Sequence, residues 1–115
     1  MTRLDFYTDE ELFDRIQLGR DSITLGRGRN CTVRLGDERV SRLHAMIRPR
    51  REGTGYELES WGLNGTRVNG HPVEGVVRLL PGDRIEIEGF LIVHRYLDEP
   101  TVTIERAPAL RVRRA

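Results

Sequence analysis

At 115 residues the chain is one ordinary domain, long enough to bury a single core. Hydrophobic residues at 37%, charged residues at 32% and a formal net charge of +1 exclude a disordered chain, a membrane-embedded one and a polycation drawn to nucleic acid by charge alone. All nineteen cations are arginine, so each carries a planar fork matched to carboxylate or phosphate and keeps its proton near neutral pH.

Residues Met1 to Glu11 read as a polar N-terminal flank that ends in the acidic run Asp9-Glu10-Glu11 and lacks the apolar stretch of a secretory signal. Thr8 to Phe13 carries the one hint of helix, with Asp9 and Glu10 near an N-cap. Thr8, followed by acidic residues, also fits a kinase target, although an ordinary polar tail is the favoured reading. From residue 12 to 98 short β-rich runs alternate with turn residues, and this stretch is the expected domain. Strands are predicted at Phe13 to Leu18 and Ser22 to Leu25, followed by the Gly26-Arg27-Gly28-Arg29-Asn30 loop. Cys31 to Leu35 alternates, placing Cys31, Val33 and Leu35 on one face. Ala45 to Arg48 and Tyr56 to Glu59 bracket a hairpin loop of Glu52-Gly53-Thr54-Gly55. Thr66 to Val68 meets Asn69-Gly70, a dipeptide suited to positive φ in a tight reversal. Val76 to Leu79, Ile85 to Glu88 and Phe90 to Tyr96 complete the series. Residues 99–115 form a C-terminal extension, with an extra strand expected over Thr101 to Glu105 and a basic tail at Arg111-Val112-Arg113-Arg114.

About ten short strands with frequent turns predict an all-β sandwich, whose ends bring loops from distant parts of the chain together. Cys31 is the only cysteine, which forbids an internal disulfide, fits a reducing cytoplasm and points to a small buried hydrophobe.

Three loops hold residues that make chemical sense as a group. Gly26-Arg27-Gly28-Arg29 offers guanidiniums on a flexible backbone. Val40-Ser41-Arg42-Leu43-His44 offers a hydroxyl, a guanidinium and an imidazole, and Leu63-Asn64-Gly65-Thr66-Arg67-Val68-Asn69-Gly70 offers amides among glycines. Arginine grips two phosphate oxygens, serine donates one hydrogen bond, and an asparagine amide pairs with both a peptide N–H and a C=O.

The pattern Leu25-Gly26-Arg27, Ser41-Arg42-Leu43-His44-Ala45 and Asn64-Gly65-Thr66-Arg67-Val68-Asn69-Gly70, followed by Leu80-Pro81-Gly82-Asp83-Arg84-Ile85, resembles the signature of forkhead-associated (FHA) domains. Order and spacing agree over roughly Arg15 to Leu97. The resemblance implies an FHA-like β-sandwich of about eleven strands (SMAD/FHA type) that binds phosphothreonine peptides through loops at one end. It assigns Arg27 as the main phosphate clamp, Ser41 and Arg42 as further phosphate or peptide contacts, and Asn64 as the residue holding the peptide backbone. Gly26, His44, Gly65 and Asn69 become structural support for the binding loops, and Gly70 is likewise architectural. Leu63 departs from the pattern, because many family members carry Ser or Thr there as an additional phosphate donor. Arg67 or Arg29 is the expected source of compensation.

The resemblance implies a partner bearing phosphothreonine, such as a Ser/Thr kinase or its substrate, in phosphorylation-dependent signalling. A phospho-independent docking scaffold on the same fold is the alternative. No enzyme, cofactor or metal is expected: His71 and His94 have no nucleophile or carboxylate partnered to them by motif, and Gly26-Arg27-Gly28 lacks the third glycine and following helix of a dinucleotide loop. Nucleic-acid binding and membrane insertion are not expected either, for want of aromatic interleaving, net positive charge or a long apolar run.

Overall fold

Alternation governs the first strand. Leu4 and Phe6 are fully buried, while Arg3, Asp5 and Tyr7 occupy the opposite face of β1 (Thr2–Thr8). The computed structural model describes residues 1–97, and their regular structure is entirely β. After β1 come β2 (Glu11–Gln17), β3 (Ile23–Gly26), β4 (Val33–Arg34), β5 (Ala45–Pro49) and β6 (Tyr56–Ser60). They are followed by β7 (Arg67–Val68), β8 (His71–Pro72), β9 (Val76–Leu79), β10 (Arg84–Ile87) and β11 (Phe90–Tyr96).

These strands form two sheets. One has six strands in the order β2-β1-β11-β10-β7-β8, the other five in the order β4-β3-β5-β6-β9. Pairing is antiparallel except between β3 and β4, where Leu25 lies beside Val33 and Gly26 beside Arg34. The core lies between the sheets: Leu4, Phe6, Ile85, Ile87 and Ile92 come from the larger, and Leu25, Ile47, Leu58 and Leu79 from the smaller, all at 0–1% exposure. Each such side chain contributes about 1.5–3 kcal/mol of transfer free energy, enough together to fix the frame that carries the loops.

The structure revises the reading of the N-terminus. The expected polar flank, residues 1–11, contains β1, which sits between β2 and β11 with Thr2 paired to Tyr96 and Thr8 to Phe90. The helix hint at Thr8 to Phe13 gives way to a two-residue reversal. Asp9 (φ 51°) and Glu10 (φ 66°) link β1 to β2, and positive φ at both central positions is the hairpin geometry that follows strand twist. Thr8 closes β1, with its hydroxyl 3.4 Å from the Gly89 carbonyl. The predicted strand at Cys31 to Leu35 shortens to Val33–Arg34, and Cys31 is only half-buried, its thiol donating to the Arg42 carbonyl at 3.0 Å. Asn69-Gly70 turns as expected, with φ of 53° and 84°, and leads into β8, which the sequence pattern did not signal. The strand expected over Thr101 to Glu105 and the basic tail lie outside the described residues.

Candidate functional site

The first loop leaves β3 at Gly26, where any Cβ would collide with the Arg42 carbonyl oxygen. Glycine is needed here for close backbone approach, and Gly26 is absent from the positive-φ residues; the conformational freedom expected of it is not the reason. That approach permits two hydrogen bonds between the first and second loops: Arg27 N–H to the Ser41 carbonyl (2.9 Å) and Gly28 N–H to the Arg42 carbonyl (3.0 Å). Arg27 spends its Nε on the Val40 carbonyl at 3.0 Å, which orients the guanidinium and leaves its terminal nitrogens for a ligand.

His44 joins the second loop to the third. It is fully buried, and its Nδ1 accepts the Ser41 N–H at 3.1 Å. The ring proton therefore sits on Nε2, which donates to the Gly65 carbonyl at 2.8 Å. The His44 carbonyl in turn accepts the N–H groups of Trp61 (2.8 Å) and Gly62 (3.0 Å). A Cβ on Gly62 would overlap the imidazole, so the histidine and this glycine require one another.

Ser41 and Asn64 complete the junction. The Ser41 hydroxyl accepts the Leu63 N–H at 3.1 Å and so keeps its own proton to donate elsewhere. The Asn64 amide donates to the Arg39 carbonyl at 2.8 Å, leaving its Oδ1 and second N–H available. Arg39 is itself anchored by Asp37 (2.8 Å) and Glu88 (3.4 Å). The hydrogen bonds from the Arg39 side chain and then from its backbone N–H hold the Asp37 carboxyl down to about 2.

Of the residues predicted from sequence, Arg27, Ser41, Arg42 and Asn64 stand on three loops locked together by these bonds, and Gly26, His44 and Gly65 form the lock. Gly65 does so with φ of 83° and its carbonyl on His44. Arg42 is exposed and shares a cleft of about 330 Å³ with Arg27, Gly28, Arg29 and Arg34. Asn69 is placed differently. Its side chain bonds Asp83 (2.9 Å) and the Arg84 N–H (2.9 Å), holding the β7–β8 turn to the segment before β10 and not to the three loops. Leu63 is 95% exposed between Ser41 and Asn64. Arg29 borders the Arg27 cleft, whereas Arg67 lines a separate one of about 780 Å³ with Arg39, Asn64 and Glu88. Gly62 and Arg39 went unread in the sequence; neither carries a local signal, because each acts on a partner supplied by another segment. His94 is buried, donating from Nδ1 to the Leu80 carbonyl at 2.8 Å, with its ring edge-on to Tyr56.

The profile of the FHA-domain family matches residues 23–88, more than half of the chain. The chain belongs to the FHA-domain family. This FHA domain is 38% identical over 79 residues to the oxoglutarate dehydrogenase inhibitor of Corynebacterium diphtheriae, an alignment covering 69% of the chain and 54% of the relative. The chain thus spans about half the length of that curated relative. Among solved structures it is similar to an FHA domain studied for phosphothreonine-dependent interactions, with a TM-score of 0.72, 31% identity, and 85% and 98% of the two chains covered. It is also similar to the FhaA FHA domain in complex with the intracellular domain of Rv3910, with a TM-score of 0.71, 32% identity, and 83% and 100% covered. The eleven strands in two sheets match the architecture that the sequence signature implied.

Proposed function

We propose that this FHA domain is a phosphothreonine-peptide-binding module for phosphorylation-dependent protein–protein interaction in Ser/Thr-kinase signalling, with no catalytic activity of its own. Arg27 grips the phosphate, Ser41 donates its hydroxyl proton, Arg42 adds a second guanidinium, and Asn64 holds the peptide backbone. The observation carrying this reading is the His44 junction, which ties the Ser41 and Asn64 loops together while Arg27 packs against the carbonyls of Val40 and Ser41. Arg27, Ser41 and Asn64 are held before any ligand arrives, so little ordering cost attends their share of binding. The partner is a phosphothreonine-bearing protein, such as a kinase or its substrate, and similarity to a domain studied for phosphothreonine-dependent interactions supports that choice.

The test is calorimetric titration with matched phosphorylated and unphosphorylated peptides. The phosphate carries about two charges and several acceptors, so its removal is expected to abolish most of the affinity. Arg27→Ala is expected to do the same. Equal affinity for the two peptides would reject the reading.

One observation favours a second reading, a phospho-independent scaffold. Leu63 stands 95% exposed at a position where a hydroxyl would serve phosphate and an apolar group serves protein contact. A scaffold, whichever surface it uses, binds phosphorylated and unphosphorylated partner equally, which separates the two readings.

A further inference from the structure

The cleft beside the phosphate clamp holds more positive charge than one phosphate uses. Arg27, Arg29, Arg34 and Arg42 line it together with Gly28, and they come from the first loop, β4 and the second loop. Gathering four like charges on one rim is unfavourable unless anions offset them. Among the described residues, the ion pairs engage Arg3, Arg15 and Arg95 with Asp5, Arg39 with Asp37 and Glu88, and Arg48 with Glu57 and Glu59; none involves the cleft arginines. The hydrogen bonds that two of these side chains make go to main-chain carbonyls: Arg27 Nε to Val40 (3.0 Å) and Arg34 Nε to Arg27 (2.9 Å). Both bonds use Nε and leave the terminal nitrogens without a protein partner among the described residues. Other described arginines, such as Arg20, Arg51 and Arg78, also lack a carboxylate partner; what sets this cleft apart is that four arginines line it together.

A phosphothreonine brings about two negative charges at neutral pH, which Arg27 and Arg42 match. Arg29 and Arg34 remain on the same rim. We propose that they receive a second anionic group of the ligand, a carboxylate or another phosphate, so that the preferred partner is an acidic or doubly phosphorylated segment around the phosphothreonine. Arg34 donates to the Arg27 main-chain carbonyl and lines the same cleft, so the second anion lies near the first along the ligand. This proposal rests on the phosphothreonine reading above and adds the class of sequence it selects.

The experiment titrates the protein with phosphothreonine peptides of one length: one with neutral flanks, a set with Glu at each position within three residues, and a set with a second phosphothreonine there. An unphosphorylated acidic peptide completes the series. The best Glu peptide is expected to bind roughly fivefold tighter than the neutral one, and the best doubly phosphorylated peptide roughly tenfold tighter. Added salt is expected to shrink both advantages. Arg34→Gln keeps an N–H for the Arg27 carbonyl while removing the charge, and is expected to reduce the acidic-to-neutral ratio to about twofold or less. Arg29→Gln, on an exposed loop position, reads the same ratio independently of β4. Phosphate-dependent binding with no preference for a second anion overturns this proposal alone, as does a ratio preserved in both variants. A neutral-flanked phosphopeptide that binds no better than the unphosphorylated peptide overturns the phosphothreonine reading and this inference with it.

Discussion

The Ser41 hydroxyl and the Leu63 side chain meet at one backbone bond with opposite chemistry. The Leu63 N–H donates to Ser41 Oγ, so residue 63 stands beside the proposed phosphate position while its side chain extends into water. Leu63→Ser therefore removes nothing from the core and places a hydroxyl donor at the clamp. One charge-assisted hydrogen bond is worth about 1.5–3 kcal/mol, so phosphopeptide affinity is expected to rise roughly tenfold, after part of that gain is lost to ordering the side chain. Calorimetry decides it, and unchanged affinity would put the phosphate elsewhere. The brace behind the loops gives a second test. Gly62→Ala pushes a methyl into the His44 ring and is expected to cost about 1–3 kcal/mol. In a His44→Ala background the ring is gone, so the same substitution should cost far less, leaving a coupling of about 1 kcal/mol or more in a denaturant-unfolding cycle. Strict additivity of the two would mean the backbone moves aside. These residues also show where sequence reading stops. Arg27, Ser41, His44 and Asn64 stood out because they match the FHA signature in order and spacing, and the structure brings their three loops together. Gly62 did not, because its constraint is the volume of a ring delivered by another loop, and the side chain of Asn69 bonds Asp83 and Arg84, a pairing that residue types alone do not signal.

At the level of elements, β1 explains the largest revision. Its inward positions are Leu4 and Phe6, but its outward positions are Arg3, Asp5 and Tyr7, so five residues offer only two clear apolar signals. Asp5 is 1% exposed yet does not read as a buried residue, because Arg3, Arg15 and Arg95 converge on it from three strands. The acidic run after it resembles a helix start only while the strands on either side are unknown. Once β1 pairs with β2, Asp9 and Glu10 must occupy left-handed conformations, and Glu10 (φ 66°) pays for a Cβ there. That strain is about 1–2 kcal/mol, and glycine gives back about 0.5–1 kcal/mol through its freer unfolded chain. Glu10→Gly is accordingly expected to stabilise the domain by about 0.5–1 kcal/mol, visible as a higher thermal midpoint. A lower midpoint would show that the Glu10 side chain contributes more than its backbone costs.

For the molecule as a whole, short alternating strands were enough to read a sandwich, whereas strand order was not legible, since the pairing of β1 with β11 joins residues from opposite ends of the described chain. The same pairing assembles a charge cluster whose titration is separate from that of the proposed ligand. Burial alone pushes the Asp5 carboxyl up, but hydrogen bonds from Arg3 and Arg95 and the charges of Arg3 and Arg15 outweigh it and hold the group below its ordinary 3.8. Asp37 is held down to about 2 by Arg39. Both carboxyls have folded pKa values below their unfolded ones, so as pH falls the unfolded chain takes up protons first. Their stabilisation is complete above about pH 4 and is lost as pH falls toward about 2. A phosphothreonine takes its second proton near about pH 6. Two windows follow. Between pH 7 and 5 phosphopeptide affinity is expected to fall several-fold, while these carboxylates contribute no change in stability. Below about pH 4 the fold itself weakens. Asp5→Asn is expected to shift only the second window. It lowers stability at neutral pH and flattens the acid limb, by less than the about 3–5 kcal/mol of a fully buried pair, because Arg15 and Arg95 stand about half in water. Circular dichroism and calorimetry across pH 7 to 2 on both proteins separate the windows. Affinity that stays flat through pH 6 and fails only as the β signal is lost would mean that the loops read something other than the second negative charge of a phosphate.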